Sequence, residues 1–494
     1  MGIIQRQAIK GSVYSYLGIV IGFINAIILA PRILTTAEIG LTSILVAFSL
    51  PFVQLSTLGF NGVINRLFPY FRDEKTNHHG FLFLTLIVTL GGFLLSVLVF
   101  LVLRPWFIHD NINQSPLFVE YMVYLVPLVF FSLLFTILDA YNRVLFDAVL
   151  GTFLKDFFFK VTYCITLILY LLKWITFPQF VFAFIVVQSL PGVILTVVLI
   201  IRKQFSLRFE RGFISRRMAR LMVNISLFGI LAGLSSIAMS TIDRLMINSM
   251  IDLSATGIYT VAFYFSVLIL VPSKSVRNIS IPVIAELMKR KNFSEINAIY
   301  FKSSINQLVI GLLLFIGIWA NVHNVFQILP AEYEQGKYVI LFMMLAKLFE
   351  MSTGVANVIY ATSRYYRYQT YFMSFLIVMV VITNLIFIPR YGIVGAAMAS
   401  AISSLIYNFL RFLFIKLRFR MQPFNNKTLL LILIGLASYF ISLLIPVFSN
   451  FVVDIIVRSS FITLIFGVLV LVFHISEEVD NGFRSVLKKV NFWR

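Results

Sequence analysis

The sequence predicts an all-α polytopic membrane protein with about fourteen spanning helices. Composition is the first observation behind this: 60% of the 494 residues are hydrophobic, 12% are charged and mean hydropathy is +0.96. Soluble domains carry about 25% charged residues. Second, the apolar residues come in runs of roughly 20, the length that crosses the hydrocarbon layer as a helix. Third, the basic residues gather on alternate sides of these runs, as in chains threaded back and forth across a bilayer.

Taken in order, the runs lie at about 11–33, 41–59, 81–103, 120–139, 148–172, 178–201, 222–246, 255–272, 304–327, 338–361, 369–389, 393–415, 428–447 and 456–474. A helix satisfies its own backbone hydrogen bonds, which lets each run cross lipid as a single segment. With the N-terminus inside, the cytoplasmic gaps hold Arg66, Arg72 and Lys75, then Arg143, then the group from Arg202 to Arg220 that includes Arg208 and Arg211. They continue with Lys274 to Lys302, with Arg364 and Arg367, and with Arg411 to Lys427. Arg6 and Lys10 at the start, and Arg484, Lys488, Lys489 and Arg494 at the end, fall on the same side. The opposite gaps hold Arg32, Arg104, Lys173, Lys337, Arg390 and Arg458. An excess of roughly five to one is the positive-inside asymmetry and places both termini in the cytoplasm. It accounts for most of the +20 net charge without a nucleic-acid partner. The N-terminal MGIIQRQAIKGS is followed by no small-residue cleavage site, so the first helix reads as retained. Cys164, the single cysteine, can form no intramolecular disulfide.

The chain reads as duplicated about a central hairpin. Asp243 and Arg244 close one apolar run, and Gly257-Ile258-Tyr259 opens the next. The same grammar occurs 217 residues earlier around Gly40, the counterpart of Gly257. Duplicated membrane bundles are a transporter architecture. Small residues four apart, Gly229 and Gly233, then Gly395, Ala399 and Ser403, mark helix faces for close approach. These serve either a sliding pair or static packing. Between 281 and 301 the apolar spacing of Ile284, Leu287 and Met288, then Ile296, Ile299 and Tyr300, fits two short amphipathic helices. They either lie on the membrane surface or pack against the bundle ends.

The segments PRILTTAEIGLTSI, IDRLMI with ATGIYTVAF, ILPAEY with AKLFEMSTGVANVIYATSRYYR, and NLIFIPRYGIVGAAMASAIS resemble the polysaccharide, or lipid-linked oligosaccharide, flippases of the multidrug/oligosaccharidyl-lipid/polysaccharide exporter superfamily. The resemblance covers about residues 8 to 420. It implies two pseudo-symmetric six-helix bundles forming a V-shaped cavity, over 1–220 and 221–427, with two additional helices and a cytoplasmic tail over 428–494. It also implies a bacterial cytoplasmic membrane and a polyprenyl-pyrophosphate-linked oligosaccharide turned from the inner to the outer leaflet. Glycan polymerase and ligase proteins are the implied partners.

Charges inside apolar runs are the candidate functional residues, because each costs about 2.5–3.5 kcal/mol to insert and is normally paired or wet. In the fifth run Asp156 and Lys160 share a face, while Lys155 points elsewhere and either snorkels or meets substrate. Asp139, Arg143 and Asp147 form a four-residue ladder. Lys347 and Glu350 in the tenth run are either an internal pair or a substrate cation beside a coupling carboxylate. Asp243, adjacent to Arg244, pairs with neighbours at the hairpin or gates transport. Arg66 and Arg277 hold corresponding positions after the second and eighth runs, as a cationic rim for a headgroup or as ordinary anchoring. The histidines at 78, 79, 109, 323 and 474 show no metal-ligand spacing on a helix, and no phosphate-cradling GxxxxGK[ST] occurs, so neither metal, cofactor nor direct ATP drive is expected. No catalytic constellation is evident, so the chain is not expected to be an enzyme. Three functions follow: a lipid-linked glycan flippase, a cation-coupled drug exporter of the same superfamily, or a membrane glycan polymerase. The acids beside bases disfavour the exporter, and the short outer loop at 104–118 disfavours the polymerase.

Overall fold

The computed structural model describes residues 3–73, 75–206, 210 and 212–492. Arg208, Arg211 and Arg494, counted above among the cytoplasmic cations, lie outside them, as do the side chains of Arg6, Arg367, Lys488 and Lys489. Every regular element among the described residues is helical. Ten helices are long and apolar enough to cross a membrane, or eleven if the bent pair Ala331–Ser352 and Ala356–Thr362 makes one span. The chain is a multi-pass membrane protein.

The remaining apolar runs are also helical, but interrupted or short. The run at 148–172 carries Lys155, Asp156 and Lys160 and contains a π-helical turn, Phe153–Phe158. The run at 428–447 contains the shorter helix Asn426–Ser442. Two further runs are drawn into one helical stretch, Tyr366–Phe419, in which Gly392 adopts φ 59° and ψ −139°. Thr383 Oγ1 and Ser403 Oγ lie 3.2 Å apart, whereas 20 residues of straight helix would span about 30 Å. The chain therefore folds back at Gly392, in the left-handed region that glycine adopts without a Cβ penalty. Gly395 packs directly on the Phe387 carbonyl across this hairpin.

The fold divides into two compact units, residues 1–260 and 261–494. In the first, α1 (Ile3–Phe23) continues through the π turn Ile24–Leu29. It is followed by α2 (Thr36–Ser56), α3 (Phe60–Phe71), α4 (Phe81–Asn111), α5 (Leu125–Val144), α6 (Phe159–Leu171), α7 (Phe177–Ile201) and α8 (Arg216–Met250). The start of α9 (Leu253–Lys289) completes the unit. Helix α3 shows why this core forms: Phe60, Val63, Ile64, Leu67, Phe68 and Phe71 recur at helical spacing and are all buried. Asn61, Asn65 and Arg66 take the other face.

The second unit holds the rest of α9, then α10 (Phe293–Ala320), α11 (Lys337–Ser352), α12 (Ala356–Thr362), α13 (Tyr366–Phe419), α14 (Asn426–Ser442), α15 (Phe451–Val472) and α16 (Glu477–Phe492). One core gathers Ile284, Leu287, Ile296, Tyr300, Ile359 and Ile415. Another joins Leu308 and Ile316 of α10 to Leu431 and Ile434 of α14 and Ile462 and Phe466 of α15. The 281–301 stretch is thus the end of α9, a turn with Lys291 at φ 56°, and the start of α10. Ile284, Leu287, Ile296 and Tyr300 are buried in the bundle end with Met288 and Ile299 packed against them, whereas Ile281, Val283 and Phe293 of the same stretch are exposed. Two cations assigned to loops are also buried within helices: Arg411 is 3% exposed and Arg458 is 2% exposed.

Candidate functional site

The N-terminus of α2 is fixed by a capping box, in which Thr35 Oγ1 accepts the Glu38 N–H at 3.3 Å and Glu38 Oε2 accepts the Thr35 N–H at 2.8 Å. This start places Gly40 and Ser43 on the face that crosses α9. A Cβ on Gly40 would lie 2.0 Å from the Leu253 carbonyl oxygen, and one on Gly257 would lie 1.9 Å from the Thr36 carbonyl oxygen. Ser43 and Thr260 share a hydrogen bond of 2.8 Å. Gly40 and Gly257, Ser43 and Thr260, and Thr36 and Leu253 are each 217 residues apart, so the approach of Gly40 to Leu253 is repeated by that of Gly257 to Thr36. The contact is therefore self-complementary, with each helix presenting the same patch to the other, as at a local two-fold axis. Arg244 Nη1 donates to Ser43 Oγ at 3.3 Å and Tyr259 Oη donates to Asp243 at 2.8 Å. The hairpin charges are thus tied to residues of α2 and α9.

A second close approach lies between α8 and the end of α2. Gly59, at φ 72°, meets the Ser226 carbonyl, and Gly229 and Gly233 meet Gly59 and Gln54 respectively. Gln54 Nε2 also donates to the Gly229 carbonyl at 3.2 Å.

The charges of the fifth run face α1. Gly18 lies against the Asp156 backbone carbonyl, and a Cβ on Gly22 would fall 3.1 Å from Lys160 Nζ. Ser15 Oγ donates to Asp156 Oδ2 at 2.7 Å, and Asn25 Nδ2 donates to the Lys160 carbonyl at 2.7 Å. Both partners carry a π-helical turn here, Ile24–Leu29 and Phe153–Phe158, a distortion that often accompanies functional sites. Ser15, Gly18, Gly22 and Asn25 were not singled out from sequence, although the four-residue glycine spacing is visible there. Lys155 is exposed, and its Nζ stands 5.8 Å from the Phe135 ring centroid. Nearby Asp139, packed on Gly151, pairs with Arg143 at 3.1 Å. Asp147 departs from the sequence ladder and pairs with Arg202 at 2.6 Å, an interhelical contact that spacing along one helix does not reveal.

In the second unit Lys347 Nζ likewise stands 5.8 Å from a ring centroid, that of Phe263. Glu350 is engaged by Arg277, Nη2 to Oε1 at 3.6 Å. The two readings for Lys347 and Glu350 thereby separate, since the carboxylate turns to α9. Among the described residues neither Lys155 nor Lys347 makes an ion pair. Arg66 is exposed on the polar face of α3.

Two buried clusters escaped sequence reasoning. Arg411 packs on Tyr407 and Tyr360 and donates to Asn408 Oδ1 at 3.2 Å, and no carboxylate pairs with it among the described residues. Asp454, fully buried, is held by Arg458, His323, Asn324 and the Phe448 N–H. Arg458 also donates to the Ser442 carbonyl at 2.9 Å, closing the loop between α14 and α15. Only the four-residue spacing of Asp454 and Arg458 is legible in one dimension. No group of three potential metal ligands occurs among the described residues.

No family model and no curated protein matches the sequence. Solved structures do match. A lipid II flippase MurJ in an inward closed conformation superposes with a TM-score of 0.76 at 14% identity, covering 94% of this chain and 99% of that one. An inward-facing multidrug resistance MATE family transporter of the MOP superfamily gives 0.63 at 14% identity, covering 84% and 98%. A MOP superfamily transporter from Pyrococcus furiosus gives 0.52 at 16% identity, covering 85% and 95%. The chain has the fold of these flippase and transporter structures.

Proposed function

We propose that this chain is a flippase that turns a polyprenyl-pyrophosphate-linked oligosaccharide from the inner to the outer leaflet of a bacterial cytoplasmic membrane. Such a step supplies synthesis of cell-surface polysaccharide: lipopolysaccharide O-antigen, capsule or exopolysaccharide. The observation that carries the reading is the shared state of Lys155 and Lys347. Each stands over a phenylalanine ring, and the acids closest to them in sequence, Asp156 and Glu350, are taken by Ser15 and Arg277. A cation in an apolar span that makes no ion pair among the described residues is poorly compensated by one aromatic face, so a passing diphosphate gains a strong charge-assisted contact. Lys160, Arg66 and Arg277 extend the same affinity for anions, and Asp156, Asp243 and Glu350 hold cations in place or take up a coupling proton.

Alternating access is the proposed mechanism, with 1–220 moving against 221–427 and the glycine crossings as the surfaces that slide. The lipid tail stays in the bilayer throughout, and glycan polymerase and ligase proteins act on the product. The MATE-like fold favours a second reading, export of small cations. That reading calls for accessible acids in place of accessible lysines. Leaflet-resolved detection of the lipid-linked intermediate separates the two. In cells carrying Lys155→Ala or Lys347→Ala at normal abundance, intermediate accumulates on the inner leaflet. A normal distribution in cells lacking the whole protein would refute the flippase reading and leave the exporter.

A further inference from the structure

The second unit contains a basic pocket that none of the candidate charges above occupies. It has a volume of about 690 Å³ and lies where α9, α12 and α13 end. Lys289, Lys291, Arg364, Arg418 and Arg420 line it together with Tyr365. Among the described residues no carboxylate lines it. Glu286 and Glu295, the acids nearest in sequence, are engaged by Arg290 at 2.8 Å and Asn292 at 2.8 Å. Among the described residues none of the five lining cations forms an ion pair.

Helix-end dipoles and the positive-inside asymmetry both draw cations to such ends. Neither requires five of them to converge on one hollow. The walls are also fixed. Arg364 donates to Tyr365 Oη at 2.8 Å and stacks on that ring, which in turn packs on Phe414 and Phe419. One aromatic layer behind, Tyr360 touches both Phe414 and the buried Arg411, which adds positive potential without a counter-carboxylate. Phe293 and Met288 give the pocket an apolar side, and Phe293 is 42% exposed. A rim of cations beside an apolar surface matches the boundary between a lipid headgroup and its chains.

We propose that this pocket binds the phosphate headgroup of an anionic membrane lipid, on the face that the charge asymmetry assigns to the cytoplasm. The site goes beyond the flippase reading and does not depend on it. It recognises phosphate oxygens through Lys and Arg and favours a phosphomonoester or diphosphate, which more than one cation can engage.

The test uses the full chain purified in detergent. Native mass spectrometry measures retention of phosphatidic acid against phosphatidylcholine, and calorimetry measures binding of inorganic pyrophosphate. The pocket variant is Lys291→Gln with Arg420→Gln. Lys10→Gln with Arg484→Gln removes equal charge elsewhere. A juxtamembrane cation contributes about fivefold to anionic-lipid binding, so the pocket pair should lower phosphatidic acid retention about 25-fold and the control pair less than twofold. Lys291→Arg with Arg420→Lys retains binding and keeps the test sound if the glutamine pair misfolds. Loss in the pyrophosphate arm alone overturns the lipid assignment in favour of a soluble phosphate. Equal loss in both glutamine pairs, or loss in neither, overturns the pocket.

Discussion

The crossing of Gly40 and Gly257 makes a prediction about coupling as well as stability. Placing Ala at Gly40 puts a Cβ 2.0 Å from the Leu253 carbonyl oxygen, and ordinary contact begins near 3.4 Å. The obstacle is backbone, so no side chain can swing aside and the helices must part locally by about 1.4 Å. Overpacking of this kind costs about 1–3 kcal/mol. The separation also breaks the Ser43–Thr260 hydrogen bond, worth roughly 1 kcal/mol, while Ala in place of Gly returns up to about 1 kcal/mol of helix propensity. The net loss is about 2 kcal/mol for Gly40→Ala. Gly257→Ala should lose the same amount, because its Cβ meets Thr36 in the symmetry-related way. One separation relieves both clashes, so the double variant should lose at most about 1 kcal/mol more than either single, a coupling that a double-mutant cycle reads directly. Gly317→Ala, where no atom lies within 4 Å of the added Cβ, is the control and should be neutral or mildly stabilising. The assay is equilibrium unfolding of the purified chain in mixed micelles. Additive losses of about 4 kcal/mol in the double variant, or singles that match Gly317→Ala, would refute the two-fold contact.

Further predictions follow from the charges. Asp454→Asn removes the carboxylate from buried Arg458 and leaves an uncompensated cation, so it should cost about 3–5 kcal/mol and expose the α14–α15 loop to protease. Lys155→Arg should retain translocation while Lys155→Gln loses it at least about tenfold; equal activity of the two in the leaflet assay would return Lys155 to packing. Glu477 accepts a hydrogen bond from Lys302 at 2.8 Å, which holds its carboxyl below the ordinary glutamate range. A lowered pKa contributes stability that is full above the unfolded value and is lost as pH falls through the folded one. Docking of α16 on α10 should therefore loosen only on acidification below the ordinary glutamate range, with faster amide exchange in α16. Unchanged exchange across that range would show that the pair contributes nothing.

What the sequence by itself determined is the part governed by solvent. In lipid a backbone must satisfy its own hydrogen bonds and a side chain must be apolar, so composition and run length were enough to find the apolar helical runs, the break between 389 and 393 and the hairpin between 246 and 255, but not the polar-faced helices α3 and α16. The 217-residue offset was also legible, because two copies of a packing surface keep similar residues. Tertiary structure alone decided which charges meet. Asp147 reaches Arg202, Glu350 reaches Arg277, and Asp156 reaches Ser15. Spacing along one helix reports which groups share its face but says nothing of the neighbour that the face meets. Arg411 and Arg458 make the same point, since both read as loop cations at run ends and both are buried once aromatic rings and loop carbonyls close around them. The basic pocket likewise depends on three helix ends, far apart in sequence, finishing at one place, and only packing brings them there.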